Sequence, residues 1–222
     1  MTTITYLGHS CLLLEVERPG GPSSRILLDP GNLSSSVGGV GRVDAVLVTH
    51  AHPDHIDPAQ IERLREAGPV SVYGPADAME SLRSADVTTT TVEPGSFEVA
   101  GLAITVLRTS HETLYPGIPL PANFGYDLGG IVFAPGDSLT VPQVPVDVLL
   151  APLGGPWMKL SEGIDYVRAV APRRVIPIHD AGLAPAHRGL HRTLLSSFAP
   201  EGSEIHPLEL GESLSLSSTP AP

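Results

Sequence analysis

The sequence predicts an α/β fold in which two sheets pack face to face with helices outside, a four-layer αββα sandwich forming a single domain over residues 1–222. Three observations support it. Short β-branched apolar runs are bounded by turn residues, helical patterns separate several of them, and one strand–turn–strand unit occurs twice. ILLDPGN at residue 26 precedes VDAVLV at 43, and IVFAPGD at 131 precedes VDVLLA at 146. This echo predicts two similar halves, each contributing one sheet.

The elements follow from these patterns in chain order. Residues 4–7, 11–16 and 25–28 are predicted as the strands of a meander. Further strands are predicted at 43–48, 70–73, 87–92, 97–99, 102–109, 124–128, 131–134, 146–151, 174–178 and 208–216, and helices at 75–84, 161–170 and 185–198. A helix is also predicted after Asp57, with Asp57 as its N-cap, Pro58 in its first turn and Gln60 completing a capping box.

Charge and composition exclude several classes of partner. The chain has 24 acidic and 13 basic residues and a net charge of -11, which argues against binding to nucleic acid or to an anionic membrane. The sequence has no signal-peptide pattern, and its single cysteine, Cys11, fits a reducing compartment. We therefore expect a soluble cytoplasmic protein that acts on a small molecule; a homo-oligomer is compatible with the sequence.

Three histidines and two aspartates stand within THAHPDHID, residues 49–57. The cluster lies between a predicted buried strand and a predicted helix, in a loop of the kind that carries functional groups. On an extended segment His50 and His52 point to the same side, and two converging imidazoles suit zinc. Asp54 and His55 follow at the turn, where the chain changes direction, so their side chains can reach a second position a few ångströms away. This spacing indicates two metal ions.

Two ions need more ligands, and the candidates end other predicted strands. His111 follows LAITVLRTS, Asp137 follows IVFAPG, and His179 follows RRVIPI. In α/β sheets, sites assemble at the carboxyl ends of strands. His50, His52 and His111 would hold one ion, Asp54, His55 and His179 the other, and Asp137 would bridge them.

These motifs resemble the metallo-β-lactamase fold superfamily. THAHPDH, TSH at 109–111, PGDS at 135–138 and PIH at 177–179 match its motif order over nearly the whole chain. ITYLGHS and HETLYPGIPLPANFGY are most similar to its single-domain metal-dependent hydrolases, a group similar to lactonases of phosphorylated sugar lactones. The resemblance implies an αββα sandwich with a dinuclear site at one edge. It gives metal-ligand roles to His50, His52, Asp54, His55, His111, Asp137 and His179.

Departures from the family's patterns narrow the expected chemistry. Asp137 stands where many true β-lactamases carry a cysteine, which argues against antibiotic hydrolysis. His52 stands where di-iron relatives are expected to carry an acid, which argues against redox chemistry. We expect a hydrolase in which a metal-bridging hydroxide attacks an ester, lactone or amide bond of a small, preferentially anionic substrate, with Asp54 as catalytic proton acceptor. A phosphodiesterase and a di-iron oxidoreductase on the same ligands are the alternatives. Zinc is the expected metal, and manganese and iron use the same donors.

Other polar and aromatic residues have weaker signals. His9, Tyr115, Asn123 and Trp157 are candidate substrate-binding residues because they lie at strand ends or on loops. Each also has a purely structural alternative, as a hydrogen-bonded or packed side chain. The alternative for the 49–55 cluster is a polar loop that caps a helix, and for Asp137 a turn-forming role. Cys11 lies in an apolar run and is expected in the core.

Overall fold

A computed structural model describes residues 1–18 and 20–217. The chain forms two compact units. The first comprises Met1–Thr91, Glu98–Leu102 and the described residues from Leu208 on, and the second comprises Val92–Phe97 and Ala103–Pro207. Each unit is built around one seven-stranded sheet. Among the described residues, no helix is both long and apolar enough to cross a membrane.

The first sheet combines antiparallel and parallel pairing. Its strands, labelled in chain order and given in their order across the sheet, are β14 (Ser213–Leu216), β1 (Thr2–Tyr6), β2 (Leu12–Val16), β3 (Ser24–Leu28), β4 (Ala45–Leu47), β5 (Ser71–Gly74) and β6 (Thr88–Thr91). Pairing is antiparallel from β14 to β3 and parallel from β3 to β6. The predicted meander of β1, β2 and β3 is therefore confirmed.

The second sheet repeats this scheme. Its strands, again in order across the sheet, are β13 (Glu204–Ile205), β12 (Arg174–Ile178), β11 (Val148–Pro152), β10 (Val132–Ala134), β9 (Asn123–Leu128), β8 (Leu102–Thr109) and β7 (Gly95–Val99). Strands β8, β9 and β10 pair antiparallel, and β10 to β13 pair parallel. The echo in the sequence corresponds to two parallel pairs, β3 with β4 and β10 with β11. The prediction of two similar halves with one sheet each is confirmed.

Helices cover one face of each sheet. In the first unit, α1 (Pro58–Arg65) and α2 (Ala76–Ser81) pack buried side chains such as Ile61 and Met79 onto the sheet. In the second unit, α3 (Leu160–Val170) and α4 (Pro185–Phe198) do so with Tyr166, Val167 and Leu195. Burying one such apolar side chain contributes about 1.5–3 kcal/mol, so these contacts fix the sheets from which the functional loops emerge.

Several element ends shift by a few residues from the predicted bounds, and three further details differ from the sequence prediction. The predicted capping box of α1 is wrong. Asp57 does cap the helix by accepting from the Ala59 N–H at 2.9 Å, but its own N–H donates to Pro30 O, and Gln60 turns to the 31–37 loop, where its amide donates to Ser35 O at 3.0 Å. Strand β14 begins at Ser213 rather than at residue 208, because Gly211 at φ +81° turns the chain there. Strand β13 and a short 3-10 helix at Gly38–Val40 were not predicted.

Candidate metal centre

In the first unit, a buried aspartate organises the loop that follows β4. Asp29 directly follows β3 with its side chain 5% exposed, and Oδ1 accepts from the Thr49 N–H at 2.8 Å. Oδ2 accepts from the Thr49 hydroxyl and from His55 Nδ1, both at 2.8 Å. Sequence reasoning missed Asp29. Its place after the ILL run in the echo was the available signal, but nothing in the local spacing connects it with a cluster 20 residues further on.

The imidazoles of the cluster converge. His50 Nδ1 donates to the Thr49 hydroxyl at 3.0 Å, since that hydroxyl already donates to Asp29. His50 Nε2 then faces His52 Nδ1 at 3.0 Å, and the ring centroids of His50 and His55 are 4.0 Å apart. The expectation that His50 and His52 point to one side is confirmed, although the backbone here bends rather than continuing as a strand.

A tight turn presents Asp54 and His55. The N–H groups of His55 and Ile56 both donate to His52 O, and the Asn32 N–H donates to Pro53 O at 2.8 Å. The backbone of Gly31 lies so close that a Cβ there would stand 1.8 Å from Asp54 O. The carboxylate of Asp54 is 27% exposed, and Oδ2 lies 3.1 Å from His9 Nε2. Within this unit, one donor atom of each of His9, Asp54 and His55 lies within 4.8 Å of the other two.

In the second unit, Asp137 lies between two histidines. It follows β10 and the turn residue Gly136, whose φ of +64° favours glycine. His179 Nε2 is 3.2 Å from Oδ1, and His111 Nε2 is 3.5 Å from Oδ2. All three side chains are less than 5% exposed. The structure thus brings together the three residues that the sequence placed at the ends of β8, β10 and β12.

The other ring nitrogen of each histidine has a definite partner. His111 Nδ1 donates to Glu112 O at 2.6 Å, and His179 Nδ1 donates to Gly154 O at 2.9 Å. His55 and His50 use Nδ1 in the same way, as described above. A neutral imidazole that donates through Nδ1 has its lone pair on Nε2, the arrangement of metal-ligating histidines. His and carboxylate donors in this form fit a divalent ion such as zinc.

The candidate substrate-binding residues have diverse environments. Trp157 is 8% exposed, and its Nε1–H donates to Asp137 Oδ2 at 2.8 Å. Asn123 is buried; its amide donates to Thr109 Oγ1 and Pro135 O, and its Oδ1 accepts from the Asp137 N–H. Tyr115 is 69% exposed on the loop between β8 and β9, whereas His9 is 2% exposed. Trp157 and Asn123 therefore contact Asp137, and their roles toward substrate stay predictions.

Cys11 belongs to the core of the first unit, as predicted. It is fully buried among Leu13, Leu27 and Val46, and burial raises the pKa of its thiol well above the usual range. A thiol kept protonated in this way is a poor nucleophile.

Comparisons with known proteins identify the family. Residues 3–179 match the family model described as a beta-lactamase superfamily domain. Protein Rv0786c of Mycobacterium tuberculosis is 36% identical over 212 residues, which cover 93% of this chain and 97% of that protein. A UPF0173 metal-dependent hydrolase of Thermococcus kodakarensis is 31% identical over 196 residues, 81% of this chain and 84% of that protein.

Solved structures agree on the fold. Igni18, a metallo hydrolase from the archaeon Ignicoccus hospitalis, superposes with a TM-score of 0.75 at 22% identity and covers 98% of this chain and 99% of its own. This likeness confirms the predicted α/β sandwich class. The chain therefore belongs to the β-lactamase superfamily and is a metal-dependent hydrolase of the metallo-β-lactamase type.

Proposed function

We propose that this metal-dependent hydrolase uses two divalent metal ions, zinc by preference, to cleave a carboxylic ester, lactone or amide bond of a small substrate. The proposed ligands are His50, His52 and His111 for one ion, Asp54, His55 and His179 for the other, and Asp137 as the bridge. The net charge of -11 supports a small molecule rather than nucleic acid or a membrane as the substrate.

One observation carries the metal assignment. In the neutral tautomer that donates through Nδ1 to Gly154 O, His179 has an acceptor at Nε2, and this nitrogen faces the Asp137 carboxylate at 3.2 Å. Two acceptors at that separation repel each other unless a cation lies between or beside them. His111 Nε2 stands toward the same carboxylate at 3.5 Å, with its Nδ1 engaged in the same way. A bound metal ion would accept lone pairs from all three groups, namely His111 Nε2, His179 Nε2 and the Asp137 carboxylate.

The two carboxylates have different environments and so different roles. Asp137 is 3% exposed and accepts from Trp157 Nε1, a restrained environment that supports a role as metal ligand. Asp54 is 27% exposed, so water reaches its carboxylate, and it can accept the proton of the attacking water and return it to the leaving group. Divalent cations held by these residues would lower the pKa of bound water and polarise the oxygen of the scissile bond. Their charge, only partly balanced by two carboxylates, favours an anionic substrate.

The first test is metal identity and stoichiometry per chain, measured by elemental mass spectrometry on protein purified without chelator or affinity tag. We expect two zinc or manganese ions per chain. One ion or none, with no uptake when metal is added, would overturn the dinuclear assignment. Two irons together with oxygen consumption would favour the di-iron oxidoreductase instead.

The second test is a hydrolysis screen of lactones, carboxylic esters, amides and phosphodiesters with the loaded enzyme. Turnover of phosphodiesters alone would replace our proposal by the phosphodiesterase alternative. With the best substrate, Asp54→Asn is expected to lower kcat by about 10²–10⁴, the range for loss of a general acid–base group. Asp86→Asn is the matched control, because the Asp86 side chain is 92% exposed and pairs with Arg65. Full activity of Asp54→Asn would refute its role in proton transfer.

A further inference from the structure

His9 occupies a strained position at the tip of the turn between β1 and β2. Its φ is +54°, a left-handed conformation that non-glycine residues rarely adopt and that costs roughly 1–2 kcal/mol. The turn is closed by two hydrogen bonds, Leu7 N–H to Cys11 O and Cys11 N–H to Gly8 O, both 2.9 Å long. A third, from the Ser35 N–H to Leu7 O at 2.8 Å, ties it to the loop after β3. These hydrogen bonds thus fix the backbone from which the imidazole projects.

This imidazole is more deeply buried than the carboxylate it contacts. The His9 side chain is 2% exposed and that of Asp54 is 27% exposed, and the distance from Nε2 to Oδ2 is 3.1 Å. The His9 ring also packs edge-on against His55, with centroids 5.9 Å apart. A partly exposed carboxylate would otherwise rotate toward water, so a fixed donor on its protein side restricts it to one orientation.

We propose that His9 is a positioning residue of the metal centre. Its Nε2–H holds Oδ2 of Asp54, which leaves Oδ1 of the same carboxylate to act as the metal ligand. The strained backbone of His9 persists because it places this donor beside the turn that carries Asp54 and His55. The inference rests on the proposed function, because it requires Asp54 to be a ligand.

The test compares His9→Ala with His9→Gln. Both variants carry a Cβ on the same left-handed backbone, so they differ in whether a side-chain N–H can reach Asp54. Zinc affinity is measured by competition between each apo-protein and a chromophoric chelator. We expect His9→Ala to bind zinc about 10–100-fold more weakly than the unchanged protein, the usual effect of losing a partner of a metal ligand. His9→Gln should regain most of the affinity, because its amide donates a hydrogen bond but is a poor zinc ligand.

His206 supplies the matched control. Its Nε2 lies 3.3 Å from Glu204 Oε2, so it also forms a histidine–carboxylate pair, but neither residue is a proposed ligand. His206→Ala and His206→Gln should leave zinc affinity unchanged. Thermal unfolding of each apo-protein verifies that the variants are folded. If His9→Ala does not fold, His9→Gly replaces it, because glycine adopts φ +54° without strain.

Each outcome separates the inference from the proposed function. Equal zinc affinity of His9→Ala and the unchanged protein would refute the positioning role. Equal weakness of His9→Gln and His9→Ala would also refute it, and would make His9 a direct metal ligand. Absence of zinc binding by the unchanged protein would refute the proposed function itself.

Discussion

At the scale of single residues, the candidate metal centre depends on small groups that hold the proposed ligands in place. Asp29 fixes His55, the carbonyl of Glu112 fixes His111, and the carbonyl of Gly154 fixes His179. Each contact engages Nδ1 and so leaves the Nε2 lone pair for a metal. The candidate ligands could be proposed from the sequence because HxHxDH is a local motif. Their supporting groups could not, since two of the three are backbone carbonyls that any residue supplies.

Gly31 is predicted to be intolerant of any side chain. A Cβ at this position would lie 1.8 Å from Asp54 O and 2.5 Å from the backbone nitrogen of His55. Gly31→Ala must therefore separate the loop after β3 from the turn that carries Asp54 and His55. We expect the free energy of unfolding, measured by urea denaturation, to fall by at least about 1–3 kcal/mol, together with a lower metal content. Gly39→Ala is the control, because a Cβ there meets nothing within 4 Å. Equal stability of the two variants would contradict the close approach.

At the scale of elements, the strands and helices with a clear apolar pattern were predictable, whereas the two-residue strand β13 and the short 3-10 helix were not. Helix α4 and strand β12 have the bounds expected from the sequence, because Pro185 starts the helix and the apolar run RVIPI is bounded by turn residues. Strand β13 has only two residues and forms by pairing with β12, so it is too short to show a periodic pattern of apolar residues in the sequence. The prediction of a capping box was wrong for a related reason. The Gln60 side chain bonds to the 31–37 loop, a tertiary contact, instead of to the backbone N–H of Asp57.

The start of helix α1 gives a prediction at this scale. Asp57 accepts from the Ala59 N–H, so Asp57→Ala should lower the free energy of unfolding by about 0.5–2 kcal/mol, the cost of losing an N-cap. Metal content should stay unchanged, because Asp57 is not a proposed ligand. Urea denaturation and elemental analysis measure the two quantities. Asp86→Ala controls for the lost charge on an exposed residue; a loss of stability as large as that of Asp57→Ala would contradict the capping role.

At the scale of the whole molecule, the repeated strand scheme explains why the fold class could be predicted. The repeated strand–PG turn–strand motif in the sequence corresponds to the same arrangement of strands in the sheet of each unit. The glycines of the two turns serve different needs, close approach at Gly31 and positive φ at Gly136. Those needs depend on what surrounds each turn, and this context is why the repeat predicts the sheets better than the site.

Metal removal should change the stability of the whole chain. A ligand that binds only the folded state stabilises it by RT ln(1 + [L]/Kd), about 2.7 kcal/mol at a concentration 100 times Kd. We therefore expect zinc to raise the Tm of the apo-protein in a concentration-dependent way and a chelator to reverse the shift. Asp137→Asn, which weakens the proposed bridge, should show a smaller shift. An unchanged Tm at saturating zinc would contradict metal binding by the folded state.

The pairing of β14 with β1 has a consequence for biosynthesis. The first unit begins at Met1, yet the edge of its sheet beside β1 is filled by Ser213–Leu216. The second unit comprises no residue beyond Pro207. Because a ribosome releases the chain from its amino end, the second unit has all its residues before the first does. If the first sheet forms before then, β1 would present an open strand edge to other nascent chains, and the unit that is translated first is the one completed last.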